Sequence, residues 1–392
     1  MQEQADKRIH SIDIVRGIVM IIMALDHIRD LMHSTSLAQS PTDLNTTTPA
    51  LFFTRWITYL CAPTFVFLSG ASAYLSIKRT KNISGNGMFL LKRGLWLILL
   101  EFTLVNFALW FDFQFRILML QVIAAIGAGL ILLSFLLKVN PKKIAIIALL
   151  IIFTHNLLQF IPAQSNRFIN VVLNLFFIPG AQVISPSFMF FTSYPIIPWV
   201  AILLLGFSCG RIFEKENSYQ RKYLMYCGLA VLGLFIILRL VNYYGDPVPW
   251  APRANTVFTI LSFFNVTKYP PSLLFDLLFL GIMFLLLGFS GKLPGFVQRI
   301  LSVYGKVPLF YYLLHLYLIR LAVFIMVFAQ GFRWDDLLFG PFQFGRPATD
   351  SGISLKFIYV VWFVIVILLY PLCKWYGNYK SMHKEKEWLR YL

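Results

Sequence analysis

Charged residues are scarce in this chain of 392 residues. They make up 13% of the sequence, against roughly a quarter in an average soluble domain, while 58% of the residues are hydrophobic. A composition so poor in charge excludes a soluble domain with an ordinary hydrated surface. It predicts instead a chain that lies largely within a lipid bilayer.

Acidic residues are the scarcer kind, with 17 Asp and Glu against 34 Lys and Arg and a formal charge of +17. In a soluble protein such an excess would indicate a nucleic-acid partner. Here the basic residues concentrate in connections that alternate with connections poor in them, which is the positive-inside pattern of membrane proteins. The charge therefore reflects topology, and no nucleic-acid partner is expected.

Cysteine is also rare. The four cysteines are Cys61, Cys209, Cys227 and Cys373, and they lie in or beside apolar segments without CxxC spacing. This spacing indicates neither a disulfide framework nor a zinc site. No metal is predicted.

Apolar runs recur along the chain, and about 20 such residues cross one bilayer. They predict an all-α integral membrane protein, a bundle of about ten transmembrane helices that occupies residues 1–392 as a single polytopic domain. The predicted spans are residues 12–33, 51–77, 88–110, 115–137, 142–162, 194–213, 220–243, 272–290, 302–329 and 354–376. With the basic connections inside, both termini are predicted to be cytoplasmic, with a tail over about residues 377–392.

Four long connections, at residues 34–50, 162–193, 244–271 and 330–353, are predicted on the outer side. Long connections in compact proteins often carry function. Their aromatic and proline-rich stretches indicate short interfacial or re-entrant segments, since irregular backbone at membrane depth must be covered by protein or water.

The first predicted span is unusual because it is charged near both ends, reading IDIVRGIVMIIMALDHIRDLMH. Only nine uncharged residues separate Arg16 from Asp26, too few to cross a hydrocarbon core of about 30 Å. Charges at membrane depth cost about 2.5–3.5 kcal/mol each, so these side chains should face a protein interior or a water-filled cavity. Asp13, Arg16 and His27 share one stripe, because eleven residues are close to three helical turns.

Arg16, followed after ten residues by His27, matches the Arg-x10-His signature in the first helix of the transmembrane acyltransferase superfamily. Five ordered blocks resemble the bacterial relatives of heparan-α-glucosaminide N-acetyltransferase: RIHSIDIVRGIVMIIMALDH, CAPTFVFLSGASAYL, YPIIPWVAILLLGFSCG, KYPPSLLFDLLFLG and GKVPLFYYLLHLYLI. The resemblance runs from Arg8 to the ninth span. It implies an acyl-CoA donor used from the cytoplasmic side and an acceptor, usually a sugar, reached from the other side.

Acyl transfer from a thioester requires a group that removes a proton from the acceptor, and histidine is the usual one near neutral pH. His27 is the candidate base, with Asp26 as a carboxylate that orients its ring or stabilises the imidazolium. His33 and His315 are further catalytic candidates. The family's lysosomal enzyme has Asn at the position of His27 and a later histidine, whose nearest counterpart here is His33, so the choice of base stays open.

Basic and acidic residues elsewhere have simpler expected roles. Arg16, Lys92 and Arg93 are expected to bind the phosphates of CoA from the cytoplasmic side. Glu101 and Asp276 are isolated carboxylates in the third and eighth spans. Each is predicted either to pair with Arg239, Arg116 or Arg55 or to line the cavity, and pairing is the favoured prediction.

The sequence therefore predicts an acetyl-CoA-dependent N- or O-acetyltransferase, a multi-pass protein of the bacterial inner membrane. Its expected partners are acyl-CoA, a glycan or amino-sugar acceptor and the lipid bilayer. The alternative is a transporter or channel with a buried ion or proton path, which the absence of an internal repeat disfavours. A homodimer is compatible with the sequence, which leaves open the oligomeric state, the acceptor, the acyl chain length and whether the acyl group first rests on a histidine.

Overall fold

The fold is mostly helical in the computed structural model, which describes residues 10–80, 82–160 and 166–391. The α-helices are α1 (His10–Met32), α2 (Pro49–Thr58), α3 (Cys61–Thr80), α4 (Ile83–Leu100), α5 (Asn106–Trp110), α6 (Val122–Leu136), α7 (Pro141–Thr154), α8 (Arg167–Phe176), α9 (Ile196–Cys209), α10 (Asn217–Val241), α11 (Thr256–Phe264), α12 (Leu273–Phe289), α13 (Gly295–Gly305), α14 (Pro308–Ala329) and α15 (Leu355–Met382). The strands are β1 (Ile117–Leu120), β2 (Gly180–Ser185), β3 (Phe188–Thr192), β4 (Leu337–Leu338) and β5 (Arg346–Pro347).

Seven helical segments within the described ranges are long and apolar enough to cross a membrane. They are Pro49–Thr80, Pro141–Leu158, Ile196–Glu214, Asn217–Val241, Leu273–Lys292, Pro308–Ala329 and Leu355–Met382. The all-α membrane class is thereby confirmed. The remaining predicted spans fall on α1, which is charged, on α4 with α5, and on the short α6, so the count of about ten stays a prediction.

Helix α1 lies at the centre of the bundle. It packs against α2, α3, α12, α13, α14 and α15. Apolar side chains along it, such as Val19, Ala24 and Ile28, have no exposed surface. Because protein surrounds this helix, its charged residues face neighbouring helices and cavities, as the cost of charge in lipid requires.

Two pairs of helices cross at facing glycines. Gly70 of α3 lies against the backbone of α9, and Gly206 of α9 lies against the backbone of α3. Gly94 of α4 and Gly127 of α6 likewise approach each other's carbonyl oxygens. A side chain at any of these positions would collide with backbone, so the absence of a Cβ permits this close approach.

The predicted span 115–137 is wrong at its start, where Ile117–Leu120 form strand β1. This strand pairs in parallel with β3, which pairs antiparallel with β2. Asn106 supports it, because its Nδ2 donates to the Met119 carbonyl oxygen at 2.9 Å and its Oδ1 accepts from the Met119 N–H at 2.8 Å. A side chain that satisfies both backbone groups replaces the hydrogen bonds of a helix, and α6 begins only at Val122.

Two further predicted spans are interrupted. The predicted span 302–329 is two helices, because α13 ends at Gly305 and α14 begins at Pro308. Proline lacks the N–H that a continuous helix would need and its ring clashes with the preceding turn. The predicted span 88–110 contains a π-helical segment at Glu101–Val105, a feature that is frequent at functional sites.

Three buried arginines bind irregular backbone at one end of the bundle. This end contains the strands and the connection at residues 242–255, and it is here called the loop end. Arg239 donates to four backbone carbonyl oxygens at 2.8–3.1 Å. Arg320 donates to three carbonyl oxygens and Arg346 to two. Non-helical backbone in a membrane protein needs such partners, because lipid offers none.

The predicted pairing of Glu101 and Asp276 with arginines is wrong. One carboxylate oxygen of Glu101 accepts from the backbone N–H of Ala124 at 3.1 Å, at the start of α6. Neither carboxylate oxygen of Asp276 has a hydrogen-bond partner among the described residues. Arg55 and Arg116 pair with other aspartates.

Candidate active site

A cavity of about 280 Å³ lies beside α1. Four basic side chains line it, namely Arg16, Arg93, Lys306 and Lys380. They come from α1, α4, the connection between α13 and α14, and the last turn of α15. The end of the bundle at which they meet is here called the basic end.

Two of the three residues predicted to bind phosphate therefore share this cavity. The Nη2 of Arg16 donates to the Leu68 carbonyl oxygen at 2.9 Å and to the Ser72 hydroxyl at 2.5 Å. The Nη1 of Arg93 donates to a backbone carbonyl of the C-terminal segment at 3.2 Å. The third, Lys92, is exposed and does not line the cavity.

Beyond its basic end the cavity wall is mostly apolar. Its residues include Met20, Met23, Leu97, Ile123 and Ile126. Tyr312 also lines the cavity, and its ring centroid lies 6.3 Å from that of His27 and 5.6 Å from that of His315. The cavity thus extends from the basic side chains to Tyr312, whose ring lies beside the half-buried His27 and the buried His315.

His27 and His315 contact each other directly. The Nδ1 of His27 lies 2.8 Å from the Nε2 of His315, and the two rings stack with centroids 5.0 Å apart. The Nδ1 of His315 lies 3.0 Å from the carbonyl oxygen of Tyr311, which can only accept, so this nitrogen carries a proton. When His315 is neutral, its Nε2 accepts from the Nδ1–H of His27. The Nε2 of His27 is then left with a lone pair, as a general base requires.

Asp26 binds other groups than the His27 ring. Its carboxylate accepts hydrogen bonds at 2.7–2.8 Å from Arg29, Arg55 and Thr58. The His27 ring makes its hydrogen bond with His315 instead, although the charge of Asp26 is close enough to act on His27. Within the described ranges, no group of three or more His, Cys, Asp or Glu side chains is arranged to hold a metal ion.

His33 lies just beyond α1 and does not join the histidine pair. Its Nδ1 is 3.0 Å from the hydroxyl oxygen of Thr35, and its carbonyl oxygen accepts from Arg346 at 2.9 Å. His33 is six positions after His27. This offset places His33 about 9 Å further along the helix axis and on another face. The structure therefore brings His27 and His315 together and leaves His33 apart.

Lys306, Lys380 and Tyr312 line the cavity and were not predicted from the sequence as site residues. Lys306 and Tyr312 lie in the block GKVPLFYYLLHLYLI, so the resemblance contained a signal for both. Lys380 lies in the predicted tail, where a basic residue is expected for topology alone. Only the return of α15 to the basic end brings Lys380 to the cavity.

The fold and the internal polar site define a multi-pass membrane protein with a histidine pair close to a partly cationic cavity. The family model described as "Heparan-alpha-glucosaminide N-acetyltransferase, catalytic" matches residues 8–239. The chain belongs to this family of membrane acyltransferases. The match includes Arg16 and His27 and ends before His315. None of the curated proteins matches the chain.

Proposed function

We propose that this protein transfers an acetyl group from acetyl-CoA to an amino or hydroxyl group of a sugar, with His27 as the general base. The observation that carries the proposal is a cavity lined by four basic side chains and by Tyr312, whose ring lies beside the histidine pair. The family match supports the same reaction class. Arg16 and His27 lie on one helix, about 16 Å apart along its axis.

The cavity suits the two chemical parts of the donor. The nucleotide end of CoA carries phosphates, and Arg16, Arg93, Lys306 and Lys380 supply positive charge and hydrogen-bond donors for them. The guanidinium groups can bind phosphate oxygens with two parallel hydrogen bonds. The apolar wall suits the pantetheine arm, which would bring the thioester towards Tyr312 and His27.

In direct transfer, His27 acts as the base that takes the acceptor's proton. The acceptor nitrogen or oxygen attacks the thioester carbonyl carbon while the Nε2 of His27 takes the acceptor's proton. The carbon–sulfur bond then breaks, and the thiolate leaves with that proton. His315 holds the His27 ring in the required tautomer through the 2.8 Å hydrogen bond. In a second route the same nitrogen carries the acetyl group first, and a burst of free CoA without acceptor would distinguish this route from direct transfer.

The sidedness follows from the positive-inside rule. The basic connections and Arg16 belong at the cytoplasmic face, where acetyl-CoA is made, and His27 belongs nearer the opposite face. On this arrangement the protein lies in a bacterial inner membrane with both termini in the cytoplasm. The acetyl group would cross the membrane within the protein, and the sugar would be modified on the outer side.

Purified protein with His27→Ala tests the proposal. Acetyl-CoA is expected to raise the melting temperature of wild type and variant alike, because donor binding stabilises the folded state. Transfer of radiolabelled acetyl to an amino sugar is expected to fall at least about 100-fold in the variant. His10→Ala, which removes an exposed histidine from the same helix, is the matched control.

Near-full transfer by His27→Ala would contradict the role of this residue. Solute flux into vesicles without any binding of acetyl-CoA would favour a transporter with a buried ion path.

A further inference from the structure

After α15 the chain returns to the basic end of the cavity. Residues 383–391, here called the C-terminal segment, contain a short 3₁₀-helix and contact α4. The Nη1 of Arg93 donates to the carbonyl oxygen of Arg390 at 3.2 Å, and the ring centroids of Phe89 and Tyr391 lie 5.4 Å apart. Phe89 and Arg93 both line the cavity. The C-terminal segment therefore borders the wall of the cavity.

Side-chain contacts fix the position of the C-terminal segment. Leu389 is buried in the hydrophobic core of the bundle. The Nζ of Lys386 donates to the hydroxyl of Tyr379 on α15 at 2.7 Å, and the ring of His383 stacks on the same tyrosine with centroids 4.2 Å apart. A buried leucine keeps the segment in place, because its exposure to water would be unfavourable. Arg390, the next residue, is thereby held at a defined position beside α4.

Two guanidinium groups meet at the ring of Phe89. The Cζ of Arg390 lies 4.6 Å from the ring centroid, and the Cζ of Arg93 lies 6.0 Å from it. Such distances allow cation–π attraction. Contact with one ring keeps two positive charges close together, although like charges repel. An anion bound between the two groups would offset that repulsion.

No carboxylate neutralises this arginine pair. Across residues 10–80, 82–160 and 166–391, neither Arg93 nor Arg390 forms an ion pair with Asp or Glu. A guanidinium group has five N–H donors, and within the same ranges Arg93 uses one of them, for the carbonyl oxygen of Arg390. Arg390 itself is exposed to water. The pair therefore offers two positive charges and several hydrogen-bond donors to an anion that arrives at the basic end.

An acyl-CoA donor carries phosphates of two kinds. Each phosphate of the pyrophosphate bridge is linked on two sides and carries a single negative charge, whereas the 3′-phosphate of the ribose is a monoester with about −1.5 to −2 charges at pH 7. Two arginines match a dianion in charge, and each can bind its oxygens through two parallel hydrogen bonds. The 3′-phosphate is at the opposite end of CoA from the thioester, which suits a pair at the basic end of the cavity.

We propose that Arg390 and Arg93 together bind the 3′-phosphate of acetyl-CoA, so that the C-terminal segment is part of the donor site. This inference rests on the proposed use of acetyl-CoA. The protein then selects acetyl-CoA over a donor that lacks the 3′-phosphate. The phosphates of most membrane lipids are diesters with one negative charge, so they match the pair less well. Arg390 is a binding residue, and the proton transfer belongs to His27.

The test compares acetyl-CoA with 3′-dephospho-acetyl-CoA in wild type and Arg390→Gln, with transfer of radiolabelled acetyl to glucosamine as the assay. In wild type, KM for 3′-dephospho-acetyl-CoA is expected to be at least about tenfold higher, because hydrogen bonds to a charged group are lost. Arg390→Gln is expected to raise KM for acetyl-CoA by a similar factor and to leave KM for 3′-dephospho-acetyl-CoA within about twofold, since the two losses concern one interaction. The kcat values should be unchanged. Arg390→Lys, which keeps the charge, should restore part of the preference.

Lys384→Gln is the matched control, because Lys384 is an exposed cation on the same C-terminal segment. It should leave both KM values unchanged. Folding of Arg390→Gln is checked by its melting temperature without ligand, which should stay close to that of wild type because the residue is exposed.

Equal effects of Arg390→Gln on the two donors, including no effect on either, would overturn the inference and leave the proposed acetyl transfer standing. An effect that requires added phosphatidylglycerol and is the same for both donors would also overturn it and would assign the arginine pair to lipid headgroups.

If wild type transfers no acetyl group, the proposed function fails, and Arg390 is judged by binding alone. CoA should raise the melting temperature of wild type more than 3′-dephospho-CoA does, and this difference should vanish in Arg390→Gln. Identical shifts with the two ligands in wild type would refute the role of Arg390.

Discussion

The hydrogen bond between His27 and His315 shows how single residues acquire a role from their partners. Histidine can present either ring nitrogen, and the partner of one nitrogen determines the state of the other. The carbonyl oxygen of Tyr311 fixes His315, and His315 in turn fixes His27. Asp26, the nearest carboxylate in sequence, binds arginines and a threonine instead.

His315→Leu is expected to lower kcat about 100-fold, because the His27 ring loses the hydrogen bond that orients it. The KM for acetyl-CoA should be unchanged, since His315 does not line the cavity. Steady-state kinetics with varied acetyl-CoA measure both quantities. His315→Gln, whose side-chain oxygen can still accept from the Nδ1–H of His27, should recover part of kcat. Equal kcat values in the two variants would argue against an orienting role.

At the scale of helices and strands, breaks and irregular segments in the helices position several polar groups. The break between α13 and α14 places Lys306 at the cavity. The π-helical segment at Glu101–Val105 brings the Glu101 carboxylate to the start of α6, where a backbone N–H lacks a helical partner. Asn106 directly follows this segment and fixes strand β1. Each irregularity therefore positions a polar group that a straight helix would misplace.

The crossing of α4 and α6 at Gly94 and Gly127 is expected to be intolerant of side chains. Gly94→Val would push α6 away, because the added Cβ meets the carbonyl oxygen of Gly127 and the side chain of Ile131. Overpacking of this kind costs about 1–3 kcal/mol, and both helices line the cavity. Thermal unfolding in detergent should show a lower melting temperature and a weaker shift with acetyl-CoA.

Gly233→Val on α10 is the matched control, since a Cβ at Gly233 meets nothing within 4 Å. It is expected to leave the melting temperature nearly unchanged. If both valine variants were as stable as wild type, close approach of α4 and α6 would not be needed for stability.

The whole molecule has two chemically different ends. Basic side chains meet around the cavity at one end, and the strands and arginine-bound connections lie at the other. Arg29 and Asp30 follow His27 on α1, towards the loop end, where the carbonyl oxygen of His33 accepts from Arg346. This polarity is what a donor and an acceptor on opposite sides of a membrane would require.

Sealed membrane vesicles test the sidedness. In inverted vesicles, acetyl-CoA added outside is expected to acetylate an amino sugar trapped inside, because the basic end then faces the added donor. In right-side-out vesicles the same addition should give no product. Detergent treatment is the control, since it should permit transfer with both preparations. Transfer that requires donor and sugar on the same side would rule out this arrangement.

The membrane class and the positions of most apolar helices could be predicted because each depends on local chemistry. A run of apolar residues crosses a bilayer whatever surrounds it. The charges of α1 likewise had to face the interior, since lipid cannot solvate them. The strand β1 could not be predicted in the same way, because its partner β3 lies some seventy residues along the chain.

By itself the sequence determined that the chain is an all-α membrane protein whose first helix carries Arg16 and His27 on one stripe. The tertiary structure alone decided which groups these residues meet. His315 is 288 residues from His27 in sequence and 2.8 Å from its ring in the fold. Lys306 and Lys380 gain their places at the cavity in the same way. Hydrophobic patterning is a local property, whereas the partner of a buried polar group depends on which helices pack together.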